Sequence, residues 1–542
     1  MLVPQGMAYA LLAGLPPIVG LYASTVPIVI YALFGSSPHL AVGPTALVSL
    51  LTFAGVSALA TPGSAEFVAY AAVLMLLVGI LQAALGFLRA GFLANFLSHA
   101  VISGFTSAAA VIIALSQLKH LFGVPLHGEG AWALLVDATR VAPNAHVPTL
   151  ILGLVTTIVL ILGRRIAKRL PFPLPVPLLV IAGTTMLVSL MGLDRQGIAV
   201  VGQVPAGLPG FALPPIDVTQ LPQLLPIAVT IALIGFVESM AVGRALATKH
   251  RIKLDANREL VGLGLANVVG AFFRGYPVTG GFSRSAVNEQ AGARTPLAGI
   301  ITAALIALTL VFFTNLFTTL PNVVLAAIVI VAVLGLVDFK EPFRLWRIKR
   351  ADAITLGVTF LATLTLGVEL GILIGVSYSL LVFVVRSAWP HRAELGWLPE
   401  EGVFRNVARF EHAVTWPEVW ITRPDASLYF ANMASLENAV QTAVAERPGL
   451  RAIILDFSGV NDVDAVAIES LEEQIETLAE QDIEVHLAGV KGPVRDLLGR
   501  AGWPERLGSR IEHLTLQAAV ASLSLPLDPP MVTPHAVPAT PD

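Results

Sequence analysis

The sequence predicts a polytopic α-helical membrane protein that carries a small α/β domain at its C-terminal end. Three observations support this prediction: apolar runs of helical length up to residue 390, few charges among them, and a charged composition beyond. Hydrophobic residues make up 55% of the 542 residues and charged residues only 13%, whereas soluble domains carry about 25% charged residues. The first 120 residues contain three charged side chains, Glu66, Arg89 and Lys119. Lipid is therefore the expected solvent for this part of the chain.

Apolar stretches fill most of residues 1–390, the predicted transmembrane domain. A helix that crosses a bilayer needs about 20 mostly apolar residues. The candidates, some of which need tilt, are Val19–Phe34, Phe67–Leu88, Ala100–Leu118, Thr149–Leu162, Pro177–Met191, Leu224–Ala247, Leu260–Phe273, Pro296–Phe313, Val323–Val337, Ile354–Val368 and Gly371–Ala388. Three other pieces, Met1–Ala13, Gly43–Ala60 and Gly280–Ala291, are short or polar and lie beside Gly or Pro. We interpret the last two as half-helices.

Basic residues predict the orientation. They form three clusters, and cytoplasmic loops collect Lys and Arg. If all three clusters are cytoplasmic, the number of crossings between neighbouring clusters must be even, which requires Gly280–Ala291 to count as a segment. The count is then about fourteen segments with both termini inside. The clusters are Arg164, Arg165, Lys168 and Arg169; Lys249, Arg251, Lys253 and Arg258; and Lys340, Arg344, Arg347, Lys349 and Arg350.

The composition changes near Pro390, and residues 400–525 follow the alternation of strands and helices. This alternation favours a small open sheet covered by helices. The Pro-rich stretch 526–542 is predicted to be a disordered tail. Predicted strands are Val419–Thr422, Ser427–Phe430, Ala452–Asp456 and Glu484–Leu487, and predicted helices are Ser435–Glu446, Val466–Ala479 and Pro493–Leu498.

The membrane part contains an internal repeat. Pro4–Ala8 (PQGMA) aligns with Val237–Ala241 (VESMA), and some forty residues after each comes a short extended stretch that ends in glycine. The first of these is His39–Gly43 and the second is Tyr276–Gly280. About seven segments per half is an odd number, so the repeats are expected to be inverted. Inverted repeats with paired broken helices are typical of transporters, and their substrate site lies where the breaks meet.

Two half-helices that point at one cavity favour an anion. Helix N-termini present unpaired N–H groups and a partial positive charge. Arg284, in the first turns of the second half-helix, adds a full charge, which is costly at mid-membrane and usually functional; the alternative is that it reaches an interface. Glu238 stands in an apolar segment, where a carboxylate is expected to be protonated part of the time or paired with a cation. It suits a proton or cation coupling site, and the alternative is a fixed pair with Arg244 or Arg284.

Several other functions find no support in the sequence. The net charge of −3 and the lack of a basic arm argue against a nucleic-acid partner. The absence of cysteine excludes disulfides and cysteine metal sites. No zinc-protease motif and no ATP-binding lysine motif is present. We therefore expect neither an enzyme nor a cofactor.

At these residues the chain resembles the sulfate permease (SulP) family of anion transporters, whose animal relatives include prestin and pendrin. The resemblance covers nearly the whole chain. Its first-half motifs are Pro4–Ala10, Leu12–Pro17, Gly20–Tyr22, Phe34–Ser37, His39 and Gly43–Pro44, and its second-half motifs are Asn257–Leu260, Gly264, Asn267, Gly270 and Ser283–Ser285.

The resemblance implies two inverted repeats of seven segments, divided into a core and a gate subdomain, and identifies the C-terminal domain as a cytoplasmic STAS domain. It implies that the substrate lies between the third and tenth segments and that Glu238 of the eighth segment is the proton site. Together with the half-helix argument, it makes the expected substrate-binding residues Gln5, Tyr9, Gly43, Pro44, Thr45, Gly281, Phe282, Ser283 and Arg284.

The function expected from these features is secondary active transport, with proton–anion symport favoured over exchange, across a bacterial inner membrane. The expected substrates are C4-dicarboxylates of the fumarate or succinate type, then sulfate, then bicarbonate. The expected partners are the small anion, the proton and the lipid bilayer, while a homodimer and cytoplasmic partners of the STAS domain stay open. Two alternatives are a nucleobase–proton symporter of the same architecture and a non-transporting membrane sensor that signals through STAS.

Overall fold

A computed structural model describes residues 2–95, 98–126, 131–167, 175–215 and 217–526. The basic residues Lys168 and Arg169 and nearly all of the expected tail lie outside this part. The chain divides into two compact units, residues 1–379 and 380–542. Each unit has its own hydrophobic core.

The first unit is helical except for two short strands. Six helices, some formed from consecutive helical elements, are long and apolar enough to cross a bilayer in the part of the chain that the structure describes, and five shorter apolar helices accompany them. The elements of its first half are α1 (Leu2–Leu12), α2 (Pro17–Tyr22), α3 (Val26–Phe34), β1 (Val42–Gly43), α4 (Ala46–Ser57), α5 (Ala65–Phe87), α6 (His99–Ser116), α7 (Leu118–Phe122), α8 (Ala131–Val141), α9 (Val147–Ala167) and α10 (Val176–Met191).

The second half of the membrane part repeats this order. Its elements are α11 (Leu221–His250), α12 (Ala256–Ala271), β2 (Thr279–Gly280), α13 (Phe282–Gln290), α14 (Leu297–Phe312), α15 (Asn322–Val333), α16 (Glu341–Ile348), α17 (Arg350–Leu366) and α18 (Val368–Ala388). The two predicted half-helices are α4 and α13, and each follows a short strand as expected. They begin at Ala46 and Phe282, a few residues later than the sequence indicated, because the glycines at their starts belong to the strands or cap the helix.

The helices of the first unit pack in two groups. In one, α12 packs against α5 and α3, and α11 packs against α4 and α5. In the other, α17 packs against α6, and α15 packs against α9. Both half-helices belong to the first group. Glycine allows close helix crossing in this group, since an added Cβ on Gly79 would lie 2.5 Å from a backbone atom of α12.

The C-terminal domain is a five-stranded sheet in the order β4-β3-β5-β6-β7. The strands β5, β6 and β7 are parallel, and β3 pairs antiparallel with β4 and β5. One apolar cluster lies between the sheet and α19–α22, and another packs under α23. The elements are β3 (Arg392–Leu398), β4 (Val403–Asn406), β5 (Val419–Pro424), α19 (Met433–Glu446), β6 (Ala452–Asp456), α20 (Ala465–Ala479), β7 (Glu484–Ala488), α21 (Gly492–Arg500), α22 (Trp503–Leu507) and α23 (Leu516–Ser522).

One predicted strand of this domain is wrong, and two strands were not predicted. Residues 427–430 form only a single bridge, between Leu428 and Val463. Backbone N–H groups in this segment bind side chains instead of a neighbouring strand. The Phe430 N–H donates to Asp464, and the Tyr429 N–H donates to the Asn432 amide oxygen. The missed strand β3 (RAELGWL) does alternate, with apolar residues at Ala393, Leu395 and Trp397, so the signal for it was present in the sequence. The missed strand β4 (VFRN) has only four residues and no alternation.

Candidate functional site

The two half-helices begin at a crossing of their strands. β1 and β2 pair antiparallel, with Val42 opposite Gly280 and Gly43 opposite Thr279. Two residues separate β1 from α4 and one residue separates β2 from α13. The pairing of the strands therefore brings both helix N-termini to the same place. Neither the capping residue of α4, Thr45, nor that of α13, Gly281, caps its helix through a side chain. The first N–H groups of a helix lack intrahelical partners, so both ends offer donors to an anion.

Polar side chains hold the second strand in place. Asn267 of α12 receives a 2.9 Å hydrogen bond from the Val278 N–H and donates one of 3.0 Å to the Val278 carbonyl. Ser239 of α11 accepts from the Gly280 N–H at 2.9 Å. The Thr279 hydroxyl donates to the Gly235 carbonyl at 2.5 Å. Backbone groups of a two-residue strand cannot all find ladder partners, so these side chains satisfy the remainder.

The first strand is held by the second half-helix. The Ala41 N–H donates to the Ser285 hydroxyl at 2.9 Å, and the Asn288 amide donates to the His39 carbonyl at 3.2 Å. The Gly281 N–H completes the set by donating to the Ala41 carbonyl at 3.1 Å. Residues of the second repeat therefore position both strands, and the two half-helices are fastened to each other.

Arg284 lies buried at this crossing, with 6% of its surface exposed. Its Nη1 donates to the Pro44 carbonyl at 2.5 Å. Its Nε and Nη2 have no hydrogen-bond partner among the described residues. A built Cβ on Gly281 would lie 2.7 Å from Nη2, and one on Gly43 would lie 3.5 Å from it. The two glycines thus leave the room that the guanidinium occupies, and two of its donor atoms are available to a ligand.

Glu238 of α11 reaches the N-terminus of the other half-helix. Its carboxylate accepts a long hydrogen bond of 3.5 Å from the Thr45 hydroxyl. Glu238 interacts electrostatically with Arg284, but the two form no direct ion pair among the described side chains. The residue as a whole is half-buried. Glu238 and Arg284 therefore flank one site while each keeps atoms available.

The structure brings most of the expected site residues together. Gln5 and Tyr9 are buried one turn apart on α1. The Gln5 amide oxygen has no partner among the described residues, and Tyr9 interacts electrostatically with Arg284. The first turn of α1 is adjacent to β1, since Leu2 lies 3.6 Å from the position of a Cβ on Gly43. The side chains of Phe282 and Ser283 lie outside the described residues, although their backbone begins α13.

Sequence reasoning missed a hydroxyl pair beside the site. The Tyr276 and Ser49 hydroxyls are 3.1 Å apart, both residues are fully buried, and Tyr276 interacts electrostatically with Arg284. The sequence contained a signal for Tyr276, because this residue begins the second extended stretch and a buried Tyr hydroxyl needs a hydrogen-bond partner. The partner on α4 becomes evident only when the strands cross.

The fold and this site define a class of protein: a membrane carrier for anions built from two inverted repeats with paired half-helices. The chain belongs to the sulfate permease family. Residues 1–359 match the Sulfate permease family and residues 412–518 match the STAS domain. The expected fold class and family are thereby confirmed, and the protein is a multi-pass membrane anion transporter with a STAS domain.

Relatives come from plants, animals and bacteria. Sulfate transporter 4.1, chloroplastic, of Arabidopsis thaliana is 39% identical over 96% of this chain and 78% of its own length. Solute carrier family 26 member 6 of Homo sapiens is 39% identical over 81% of this chain and 61% of its own. A probable sulfate transporter of Mycobacterium tuberculosis is 34% identical over 96% of this chain and 92% of its own.

Solved structures share the fold. The structure of SLC26A9 superposes with a TM-score of 0.89 at 26% identity, over 96% of this chain and 88% of that one. The transmembrane domain of the cyanobacterial bicarbonate transporter BicA superposes with a TM-score of 0.59 at 23% identity, over 70% of this chain and 93% of that one. The second likeness concerns the fold alone.

Proposed function

We propose that this protein carries sulfate together with a proton. The observation that supports this proposal best is the buried Arg284, whose Nε and Nη2 lack partners at the point where two half-helix N-termini meet. A tetrahedral oxyanion offers several acceptor oxygens, and a guanidinium presents donors in a fixed fork. The names of the relatives, several of which are sulfate transporters, favour sulfate over the C4-dicarboxylates that head the sequence-based order.

The coupling follows from charge. When Glu238 is ionised, its negative charge opposes that of an anion at Arg284. A proton on Glu238 removes this repulsion, so anion and proton binding favour each other. The Thr45 hydroxyl contacts Glu238, and Thr45 precedes the half-helix that is expected to bind the anion. Release of the proton on the other side of the membrane would then weaken anion binding there.

The orientation rests on the basic clusters. Two of them lie at the α11–α12 junction and between α15 and α17, and the third includes Arg164 and Arg165 in the last turn of α9. We propose that these junctions, both termini and the STAS domain are cytoplasmic, as positive loop charge favours. The assignment to a bacterial inner membrane, a homodimer and cytoplasmic partners of STAS stays a prediction.

The test is radiotracer uptake by the full-length protein in liposomes. We expect sulfate to accumulate when the lumen is more alkaline than the bath, and the accumulation to collapse when a protonophore removes the gradient. Unlabelled succinate and bicarbonate, added in turn, rank the other two substrates. Counterflow of sulfate without any response to the gradient would leave the anion site standing and contradict proton coupling. Uptake of succinate but not of sulfate would contradict the proposal that sulfate is the substrate.

Uptake of labelled uracil in the same liposomes tests the alternative function, nucleobase–proton symport. Uptake of uracil that is indifferent to Arg284→Ala would favour the nucleobase–proton symporter. Absence of flux for every anion, with the protein folded and inserted, would favour the membrane sensor.

A further inference from the structure

The short helix α16 bridges the ends of two apolar helices, α15 and α17. One face is fixed to the protein: Glu341 and Leu345, four residues apart, are 7% and 8% exposed. Glu341 lies 3.2 Å from His99 Nε2 at the start of α6 and accepts two hydrogen bonds from Arg344, at 2.7 and 2.5 Å. Leu345 joins a small apolar cluster with residues of α6 and α17. The helix is therefore held at the end of the bundle.

The opposite face is apolar and exposed. Phe343 is 74% exposed and Trp346 56%, and Phe339 and Ile348, at either side, are 77% and 69% exposed. Four large apolar side chains within ten residues are far more than a water-facing helix of this length usually presents. They lie at the C-terminal end of a candidate membrane span, Asn322–Ile348, which begins with α15.

Basic residues are interleaved with these apolar groups. Residues 339–350 contain five basic side chains and one acidic side chain, a net charge of +4. Arg344 is occupied by Glu341. The other four, all exposed, have no ion pair among the described residues, and some of them line an open cavity together with the aromatic rings. These four are Lys340, Arg347, Lys349 and Arg350, and the cavity is lined by Phe339, Lys340, Phe343, Arg344, Arg347 and Ile348.

We propose that this surface, residues 339–350, binds anionic phospholipids of the leaflet in which α15 ends and α17 begins. Exposed rings beside the end of an apolar span fit acyl chains at the headgroup boundary, and clustered basic side chains fit phosphate headgroups that carry net charge. A soluble acidic partner would meet the charges but leave the rings in water. A neutral lipid would cover the rings but leave four cations without counter-charge. An anionic phospholipid satisfies both.

Trp346 provides a reporter for this site in the full-length protein. The protein is reconstituted in phosphatidylcholine that contains a minor fraction of phosphatidylglycerol, and bromine is placed on the chains of either lipid in equal amounts. Composition and surface charge are then identical in the two samples. The chain has seven tryptophans, so the quenching that is lost in Trp346→Phe is the part that belongs to this site. We expect that part to be at least about twofold larger with bromine on phosphatidylglycerol.

The charges are tested by a quadruple variant, K340Q/R347Q/K349Q/R350Q. It should lose the preference for phosphatidylglycerol while quenching by brominated phosphatidylcholine persists, which also reports that the helix is folded and inserted. Arg195→Gln, in the exposed loop after α10, is the matched control and should keep the preference. Equal quenching by both lipids in the unmodified protein would reduce the surface to a neutral anchor. No Trp346-dependent quenching by either lipid would mean that a protein surface covers it, and both results overturn the proposal.

Discussion

Arg284 Nη1 donates a 2.5 Å hydrogen bond to the carbonyl oxygen of Pro44, although 240 positions separate the two residues in the chain. The bond joins the second half-helix to Pro44, two residues before the first half-helix begins at Ala46. It uses only part of the guanidinium, because Nε and Nη2 have no partner among the described residues. Arg284 is thus oriented by one repeat while it belongs to the other, and what remains of its donor fork defines the proposed anion site.

Removal of the Arg284 charge should weaken anion binding while the fold is retained. A charge-assisted hydrogen bond is worth about 1.5–3 kcal/mol, and about 1.4 kcal/mol is tenfold in affinity. Arg284→Ala should therefore reduce sulfate affinity about ten- to a hundredfold. Arg284→Lys should restore it only in part, since lysine keeps the charge but lacks the fork. Equilibrium binding to the purified variants measures this, with Arg195→Ala as a control; unchanged affinity in Arg284→Ala would remove the residue from the site.

Neutralisation of Glu238 should separate binding from coupling. Glu238→Gln keeps the hydrogen bond with Thr45 available but can neither gain nor lose a proton. We expect sulfate counterflow to continue in proteoliposomes while accumulation driven by a pH gradient is abolished. Glu66→Gln, an exposed residue in the first turn of α5, should keep both activities. Normal gradient-driven accumulation by Glu238→Gln would show that the proton travels elsewhere.

A side chain at Gly281 should weaken anion binding, because it would displace the Arg284 guanidinium. The Gly281 φ of −99° suits any residue, so the obstacle is the guanidinium 2.7 Å from the added Cβ. Displacing Arg284 from its rotamer costs about 1 kcal/mol, or about fivefold in affinity. Gly281→Ala should show this loss in sulfate binding with little change in thermal stability. Gly183→Ala, where a Cβ meets open space on α10, should bind normally, and equal behaviour of the two variants would contradict the argument.

Asn267 should matter for both stability and binding, because its amide pairs with both backbone groups of Val278. Asn267→Leu leaves those groups unpaired, at about 1–3 kcal/mol each, and loosens the strand before the second half-helix. We expect a lower melting temperature together with weaker sulfate binding. Gln82→Leu removes the neighbouring amide, which contacts the Ala232 carbonyl and Asn267 but not the strand. It should lower the melting temperature alone; weaker binding in both variants to the same extent would mean that core stability, rather than strand position, sets affinity.

The STAS domain should lose stability in acid. Burial lowers the pKa of His486 on β7, with partial opposition from Glu484, and burial together with the neighbouring His486 lowers the pKa of His513. The unfolded chain, with His pKa values of about 6.5, then binds more protons than the folded domain. Stability is complete above about pH 6.5 and declines as the pH falls toward the lowered values. Hydrogen exchange of β7 amides in the full-length protein, corrected for intrinsic rates, should accelerate below that pH, and less so in His486→Gln. An identical acceleration in the variant would assign the effect to other groups.

The amino-acid pattern was enough to predict the membrane class and the repeat, and it singled out Arg284 and Glu238 as candidate site residues. Long apolar runs without charges are expected to fold in lipid. The glycine-ended stretches His39–Gly43 and Tyr276–Gly280 indicated where the helices break. The positions of Arg284 and Glu238 in apolar surroundings sufficed to single them out, because ionisable side chains are costly there. Local pattern failed for residues 427–430, where contacts with Val463 and Asp464 decide the backbone conformation.

Which groups meet depends on the folded chain. Strand crossing and helix packing determine three contacts that hydrophobic periodicity does not predict. These contacts are Arg284 with Pro44, Glu238 with Thr45, and Asn267 with Val278. The exposure of Phe343 and Trp346 was likewise decided by packing, since Glu341 and Leu345 fasten the other face of α16 to its neighbours. The local sequence pattern indicates whether a residue prefers lipid or water. Whether that residue is buried, and which group it pairs with, depends on a contacting segment that is distant in sequence. That segment comes into contact only when the chain folds.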